Sequence, residues 1–336
     1  EAEHMRGSQR MLAGGGCLLA LVVGLAFATP SDAAEYSESP ILAAKAAKGE
    51  LPPVAERLPP QPEVVTPFAE VGRYGGVLRR GLTGSNDHNS ILRIVGPQGL
   101  TRWNVEWTEV LPNLATGWEI ENEGRSFVFH LRPGTKWSDG QPFTADDVLF
   151  NMNDVFLNKE FGTIPSRYMI GGKPATVEKV DDHTVRFSFA QPYGSFLADL
   201  ASPRGQHPTL FPKHYCSQFH ARYNPDAAKL ATAAGVATWQ ALFTSKCGDI
   251  EIPARWGNPD TPTLDPWVIT EPYVGGAVRV VLERNPYFWQ VDTKGQQLPY
   301  IDRIENTVYQ NPEALLIAAI GGNIDMQERN LNNPAN

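Results

Sequence analysis

The sequence has few cysteines and no excess of basic residues. Only three cysteines occur in 336 residues, which argues against a small disulfide-dense scaffold. The formal net charge is −8 and no run of like charges stands out, so nothing in the chain suits nucleic acid or an anionic membrane surface. Hydrophobic residues make up 42% of the chain and charged residues 20%, as in ordinary globular proteins long enough for two domains or one large lobe.

Catalytic and cofactor motifs are also lacking. The chain contains no G-x-S-x-G, H-E-x-x-H, P-loop or dinucleotide-binding pattern. Asp146 and Asp147 read as helix-start residues, and Asp181 and Asp182 as turn residues, rather than as catalytic carboxylates. These absences predict a protein that is not an enzyme and needs no cofactor, with a secreted hydrolase as the alternative.

Three histidines follow one another without a metal-binding pattern. His207, His214 and His220 are spaced by seven and six residues, which does not place them on one metal-binding helix face. We expect surface or loop histidines and no metal site.

The N-terminus has the pattern of a secretory signal peptide. Arg6 and Arg10 precede an apolar, uncharged run over residues 11–28, and small residues after it offer cleavage sites. We expect residues 1–34 to form a cleaved leader that sends the protein to the periplasm. An uncleaved anchor is the alternative, because 18 apolar residues are near the lower limit for a membrane span.

The stretch 117–158 predicts a β-hairpin, a tight loop and a capped helix. Residues 122–124 supply turn chemistry, since Gly124 takes positive φ without a Cβ clash. Thr144 lies three residues before Asp147, which is a capping-box arrangement. The apolar residues of the second strand are Phe127, Phe129 and Leu131, and those of the helix are Val148, Leu149, Met152, Val155 and Phe156.

This unit resembles the signature of the family 5 extracellular solute-binding proteins, the peptide, nickel and oligosaccharide receptors of bacterial ABC importers. The family pattern runs F-x-L-R-x-G, then K-W-x-D-G-x-P-F-T-A-x-D-V. More than ten positions match it in order, in Phe129–Arg132, Gly134, Lys136–Gly140 and Pro142–Val148.

Other parts of the chain resemble further family elements, from about residue 72 to 326. They are the first strand (74–82), the L-A-x-x-W element (114–118), the strand ending R-N-P-x-Y-W (278–289), P-Y-x-D-x-I (299–304) and G-x-I-D (322–325). Thr270 and Glu271 replace the glycines of the family's G-T-G-P-Y/F segment.

Three further elements are predicted from local pattern alone. Residues 177–189 predict a second β-hairpin, residues 196–200 a short apolar helix, and residues 312–320 another helix. The expected apolar face of the last helix consists of Leu315, Leu316, Ala319 and Ile320.

The resemblance implies an α/β fold of α+β type with mixed sheets, namely the first lobe of a cluster C type II periplasmic-binding-protein-like fold with the second lobe missing. We expect a Pro-rich N-terminal arm over 35–70, lobe I over 71–325 with its signature subdomain at about 89–265, and a truncated start of lobe II over 326–336. The chain is then either a natural fragment or a shortened version of a longer receptor. Weak ligand binding by this chain alone is expected, and an assembly role for a non-binding lobe is a further alternative.

The resemblance also implies a ligand cleft and partners. We expect a monomer that binds a peptide or an oligosaccharide-like compound and delivers it to ABC importer permease subunits; the ligand class stays open. A loop after a strand end exposes short polar side chains toward a crevice, although the same loop could simply cap the helix at 89–94, and Trp267 could belong to the core. The candidate ligand contacts are Ser85, Asn86, Asp87, His88, Tyr168, Trp267 and Tyr309.

Two cysteines outside the leader leave a choice open. In an oxidising compartment Cys216 and Cys247 could form a disulfide that closes a loop of about thirty residues and stabilises the fold by roughly 3 kcal/mol. Two unpaired thiols are the alternative.

Overall fold

The computed structural model describes residues 36–249 and 252–331. The predicted leader, its cleavage site and the alternative membrane anchor lie outside these residues. Within them, no helix combines the length and apolar character that crossing a membrane requires.

The described ranges contain short strands and helices in alternation. The strands are β1 (Glu63–Val65), β2 (Val77–Thr83), β3 (Thr101–Trp103), β4 (Val110–Pro112), β5 (Ala115–Glu121), β6 (Ser126–Leu131), β7 (Met169–Ile170), β8 (Lys173–Pro174), β9 (Thr176–Asp181), β10 (Thr184–Ser188), β11 (Trp267–Glu271), β12 (Arg279–Arg284), β13 (Gln290–Asp292) and β14 (Arg303–Tyr309). The α-helices are α1 (Pro40–Ala47), α2 (Val54–Arg57), α3 (His88–Val95), α4 (Ala145–Leu149), α5 (Phe196–Leu200), α6 (Lys213–Cys216), α7 (Ala227–Ala233), α8 (Trp239–Cys247) and α9 (Pro312–Ile320). A π-helical segment (Phe150–Phe156) and short 3-10 segments lie between them. The predicted mixed α/β class is confirmed.

Four antiparallel strands in the order β5-β6-β10-β9 form what we call the signature sheet. The turn between β5 and β6 passes through Gly124 at φ +82°, as predicted. One face of this sheet carries an aromatic core, because alternate side chains of a strand point to the same side. Its fully or almost fully buried members include Phe127, Phe129, Phe187 and Phe196.

The predicted capped helix is confirmed at its start. The Thr144 side chain accepts from the Asp146 N–H, while Asp147 Oδ2 accepts from the Thr144 N–H. The α-helix ends at Leu149 and continues as the π-helical segment, which sequence periodicity did not indicate. The predicted apolar face packs against the aromatic core, with Leu149 only partly buried.

Four strands in the order β11-β12-β14-β2 form what we call the loop-bearing sheet. Its first three strands pair antiparallel, whereas β14 and β2 pair parallel, Arg303 opposite Val77 and Tyr309 opposite Thr83. Helix α3 contributes Ile91, Leu92 and Val95 to a second apolar core with buried side chains of this sheet. The carboxyl ends of β14 and β2 therefore lie at one edge.

The segment 36–70 contacts the rest of the chain through helices and a strand as well as through extended backbone. The expected Pro-rich segment contains regular elements, since α2 and β1 lie after residue 52 and β1 pairs parallel with β13. Arg57 is fully buried, donates to the Pro52 and Pro286 carbonyls and contacts Glu38. These contacts hold residues 36–70 against the rest of the described chain.

The structure decides between the two cysteine alternatives and corrects the predicted inward face of helix α9. Cys216 and Cys247 form a disulfide, so the thiol alternative is wrong. Helix α9 forms as predicted, but its buried residues are Leu315 and Ala318, while Ile320 is 80% exposed. The helix turns this face inward because it lies close over Gly81 of β2, where a Cβ would collide with Leu315.

Candidate functional site

A polar loop follows β2 at the edge where two parallel strands end. Residues 84–87 connect Thr83, which is paired with Tyr309 of β14, to the start of α3. In open sheets, ligands bind in crevices beyond the carboxyl ends of parallel strands. This loop is therefore the part of the loop-bearing sheet best placed to meet a ligand.

Tyr273 holds the two ends of the loop. Its buried hydroxyl donates to the Gly84 carbonyl at 2.7 Å and accepts from the Asp87 N–H at 2.8 Å. Burial raises the pKa of Tyr273, so the phenol keeps the proton that it donates. One side chain thereby fixes both backbone ends of the four-residue loop.

Asp87 anchors the loop from within. The carboxylate is 4% exposed and accepts from the Thr83 N–H at 3.1 Å and from Asn330 Nδ2 at 2.6 Å. Arg329 Nε lies 2.9 Å from the other carboxylate oxygen. Protein groups engage both oxygens, so Asp87 has a positioning role in this structure.

Two of the candidate side chains stand open to solvent. Ser85 and Asn86 are exposed, whereas His88 is buried with Nδ1 3.2 Å from the Asn86 carbonyl oxygen. Tyr309 is half-buried at the end of β14. The edge thus presents Ser85 and Asn86 on a loop whose base is hydrogen-bonded on several sides. Tyr309 meets this loop through its backbone carbonyl, which accepts from the Gly84 N–H at 2.8 Å, while its ring lies over Gly81.

The structure does not bring the other two candidates to this edge. Trp267 pairs with Arg284 at the end of β12, beside the start of β14, so it lies at the opposite edge of the sheet. It packs in the second core at 7% exposure, which agrees with the alternative that it is a core residue. Tyr168 is 0% exposed in the aromatic core and offers no surface to a ligand in this structure.

Sequence reasoning missed the residues that support the loop. Tyr273 lies in the segment that resembles G-T-G-P-Y/F, so a signal was present, but it did not connect this tyrosine with a loop almost two hundred residues earlier. Asn330 and Arg329 carried no signal, because nothing local indicates that residues 325–330 run beside β2.

The described residues contain no group of three or more His, Cys, Asp or Glu side chains that could hold a metal ion. His207 stacks on Phe156 and is almost fully buried, and His220 is also buried, so neither is a surface histidine, which was one of the two expected placements. Among these three histidines only His214 is exposed, and it lies beside Asp139. The loop after β2 is therefore suited to binding a ligand through polar side chains and backbone groups.

A family model described as bacterial extracellular solute-binding proteins, family 5 Middle, matches residues 109–336. The periplasmic alpha-galactoside-binding protein of Rhizobium meliloti (strain 1021) is 32% identical over an alignment of 304 residues, and the match covers 80% of this chain and 39% of that protein. A solved structure of an oligopeptide-binding protein OppA superposes with a TM-score of 0.81 at 41% identity, over 90% of this chain and 46% of its own.

A second solved structure carries a bound sugar. The periplasmic binding protein MelB from Agrobacterium fabrum C58, in complex with stachyose, superposes with a TM-score of 0.63 at 28% identity. It covers 87% of this chain and 43% of its own. This chain therefore spans less than half the length of each of these three proteins.

Proposed function

We propose, from the premise that this chain belongs to family 5 of the bacterial extracellular solute-binding proteins, that the whole protein is a periplasmic receptor. It captures a peptide or an oligosaccharide-like ligand and delivers it to the permease subunits of an ABC importer. The relatives named above are described as binding proteins for galactosides, oligopeptides and stachyose, which supports both ligand classes.

The observation that carries the proposal at residue level is the anchored loop after β2. Tyr273 and Asp87 hold its backbone, while Ser85 and Asn86 remain exposed. A loop that is already ordered loses little conformational entropy when it binds, so its hydrogen bonds contribute more of their strength to affinity. Ser85 and Asn86 are the ligand contacts in this proposal, and Tyr309 lines the same edge.

Two lobes share the ligand in this mechanism. A cleft receptor closes by hinge motion and buries most of the ligand surface between its lobes. The residues described here supply contacts from one side only. The chain by itself binds more weakly than the complete receptor.

The test is thermal unfolding of the complete receptor with pools of oligopeptides and of oligosaccharides. A ligand at a hundred times its dissociation constant stabilises by about 2.7 kcal/mol, which raises the unfolding midpoint by a few degrees. The pool that moves the midpoint identifies the ligand class. If neither pool moves it, the receptor proposal is contradicted and the assembly alternative gains.

Single substitutions then test the loop. Asn86→Ala weakens binding of the active pool about tenfold, since one hydrogen bond to a ligand is worth about 1.4 kcal/mol. The midpoint without ligand stays unchanged because the side chain is exposed. Asn323→Ala, also at an exposed asparagine, is the control. Asp87→Ala is unsuitable as a partner substitution because it removes the anchor. Unchanged affinity in both Ser85→Ala and Asn86→Ala would overturn the assignment.

A further inference from the structure

The turn of the β3–β4 hairpin holds a tryptophan in an unfavourable backbone conformation. Trp107 has φ +57° and is 68% exposed. A bulky side chain at positive φ is a steric outlier that persists only where its surroundings enforce it, and such outliers cluster at functional sites.

Asn104 enforces this conformation. Its side-chain oxygen accepts from the backbone N–H groups of Thr108 at 2.8 Å and Glu109 at 3.1 Å. Its own backbone accepts from the Trp107 N–H at 3.1 Å and donates to the Glu109 carbonyl at 2.9 Å. These four hydrogen bonds around Asn104 fix the turn, and the turn fixes the position of the Trp107 indole ring.

The enforced position brings two indoles together. The rings of Trp103 and Trp107 are stacked, with centroids 6.0 Å apart and planes 21° apart. They border a surface groove that is also lined by Arg102 and by Ser202 and Pro203, which follow α5. The residues of the loop after β2 are absent from the described lining, so the groove is a separate place on the surface.

The charged residues in and around the groove limit the class of ligand that it can bind. No carboxylate is found among its described lining residues, so a cation would lack a counter-charge and would face Arg102. Arg102 pairs with Glu63 at 3.2 Å, which removes much of its attraction for an anion. The groove is thus suited to an uncharged molecule with an apolar face for the indoles and hydroxyl groups at its rim.

We propose that Trp103 and Trp107 form a stacking platform for a pyranose ring of a carbohydrate. The C–H face of the sugar packs on the indoles, and its hydroxyl groups reach the Arg102 guanidinium and the Ser202 hydroxyl. Ser202 Oγ donates to the Asp199 carbonyl at 2.6 Å and so accepts from a sugar hydroxyl. This platform is independent of the ligand that the loop after β2 binds.

The experiment is a titration of the ¹⁵N-labelled chain with raffinose, following the indole N–H resonances, with choline as a cationic probe. Raffinose shifts the Trp103 and Trp107 resonances in a saturable way, and choline does not. In Trp107→Ala, the affinity for raffinose that is read from the Trp103 resonance falls at least tenfold. Phe68→Ala, which removes an aromatic ring that is 91% exposed, leaves it unchanged.

Two further variants distinguish loss of the platform from a folding defect and from binding at the loop after β2. Trp107→Gly suits positive φ, so its unfolding midpoint is at least that of the parent while sugar binding is lost, which separates the platform from a folding defect. Asn86→Ala leaves the raffinose shift intact. The proposal is overturned if raffinose moves neither indole, if choline moves them instead, or if Asn86→Ala and not Trp107→Ala abolishes the shift.

Discussion

The strands of the signature sheet lie between residues 115 and 188, whereas those of the loop-bearing sheet come from positions between 77 and 309. The first sheet joins two hairpins, β5–β6 and β9–β10, whose strands are neighbours in sequence, and fills its core with phenylalanine rings packed edge to face. The second closes a parallel pair, β2 with β14, across most of the chain and buries Arg80 and Asn306 in adjacent strands. Short-range pairing needs little loop closure, whereas the long-range pair must be stabilised by contacts made only in the finished fold.

The comparison indicates that the two sheets have different roles. The signature sheet is a locally encoded scaffold, and the loop-bearing sheet carries the loop that we assign to the ligand. That loop depends on Tyr273 and on residues 329–330, which also come from distant parts of the chain. The proposed site thus lies where the fold depends most on tertiary contacts.

The largest expected effect tests which core stabilises the protein more. Phe129→Ala removes a ring that is 0% exposed and lowers the free energy of unfolding by about 3–5 kcal/mol. Leu282→Ala, in the second core, costs about 2–4 kcal/mol. Urea unfolding measures both, and Phe68→Ala, at an exposed position, changes stability by less than about 0.5 kcal/mol. A greater cost for Leu282→Ala would reverse the comparison.

The next prediction concerns how the free energy of unfolding depends on pH through His207, which stacks on Phe156 in the core of the signature sheet. Burial, and to a lesser extent the charges of Arg167 and Arg204, lower the pKa of His207 to about 3. The folded state holds this histidine neutral while the unfolded state binds a proton below about pH 6.5, so its contribution is complete above that pH and is lost as pH falls toward 3. We expect about 3 kcal/mol of stability to disappear between pH 7 and 4 on this account.

His207→Phe preserves the stack on Phe156 and removes the titration. Urea unfolding at pH 7 and pH 4 should therefore show a smaller loss for this variant than for the parent. His130→Gln, at a half-exposed histidine outside this stack, is the control and should follow the parent. Equal losses in the parent and in His207→Phe would refute the assignment.

The smallest effect concerns the chain segment beside β2. Arg80 is fully buried, donates to the Ser90 carbonyl at 2.8 Å and contacts Glu328. Glu328→Gln leaves the buried cation without its counter-charge and costs about 1–3 kcal/mol by urea unfolding. Combining it with Arg80→Met recovers part of the loss, because no buried charge is then left unpaired. If Glu328→Gln were neutral, residues 325–330 would contribute little to this sheet.

Much of the signature region could be predicted from the sequence. The β5–β6 and β9–β10 hairpins, the capping box at Thr144 and the helix α5 all depend on residues within a few positions of one another, and each is present. The π-helical continuation after Leu149 was not predicted, because a regular apolar spacing is compatible with either helix type over one or two turns. Helix α9 was predicted correctly in extent, but its inward face only in part: Leu315 is buried as predicted, whereas Ala318 is buried in addition and Ile320 is exposed. The helix is apolar on most sides, so its contact with Gly81 decides the orientation.

The site divides in the same way. The sequence by itself determined that a short polar loop follows β2, that a helix comes after it, and to which family the pattern belongs, since these are properties of contiguous residues. Only the tertiary structure decided that Asp87 turns inward while Asn86 stays exposed, that Trp267 lies at the far edge of the sheet, and that Tyr273 clamps the loop. The physical reason is that burial and hydrogen bonding between distant segments arise only when the parallel pairing of β2 with β14 brings those segments together.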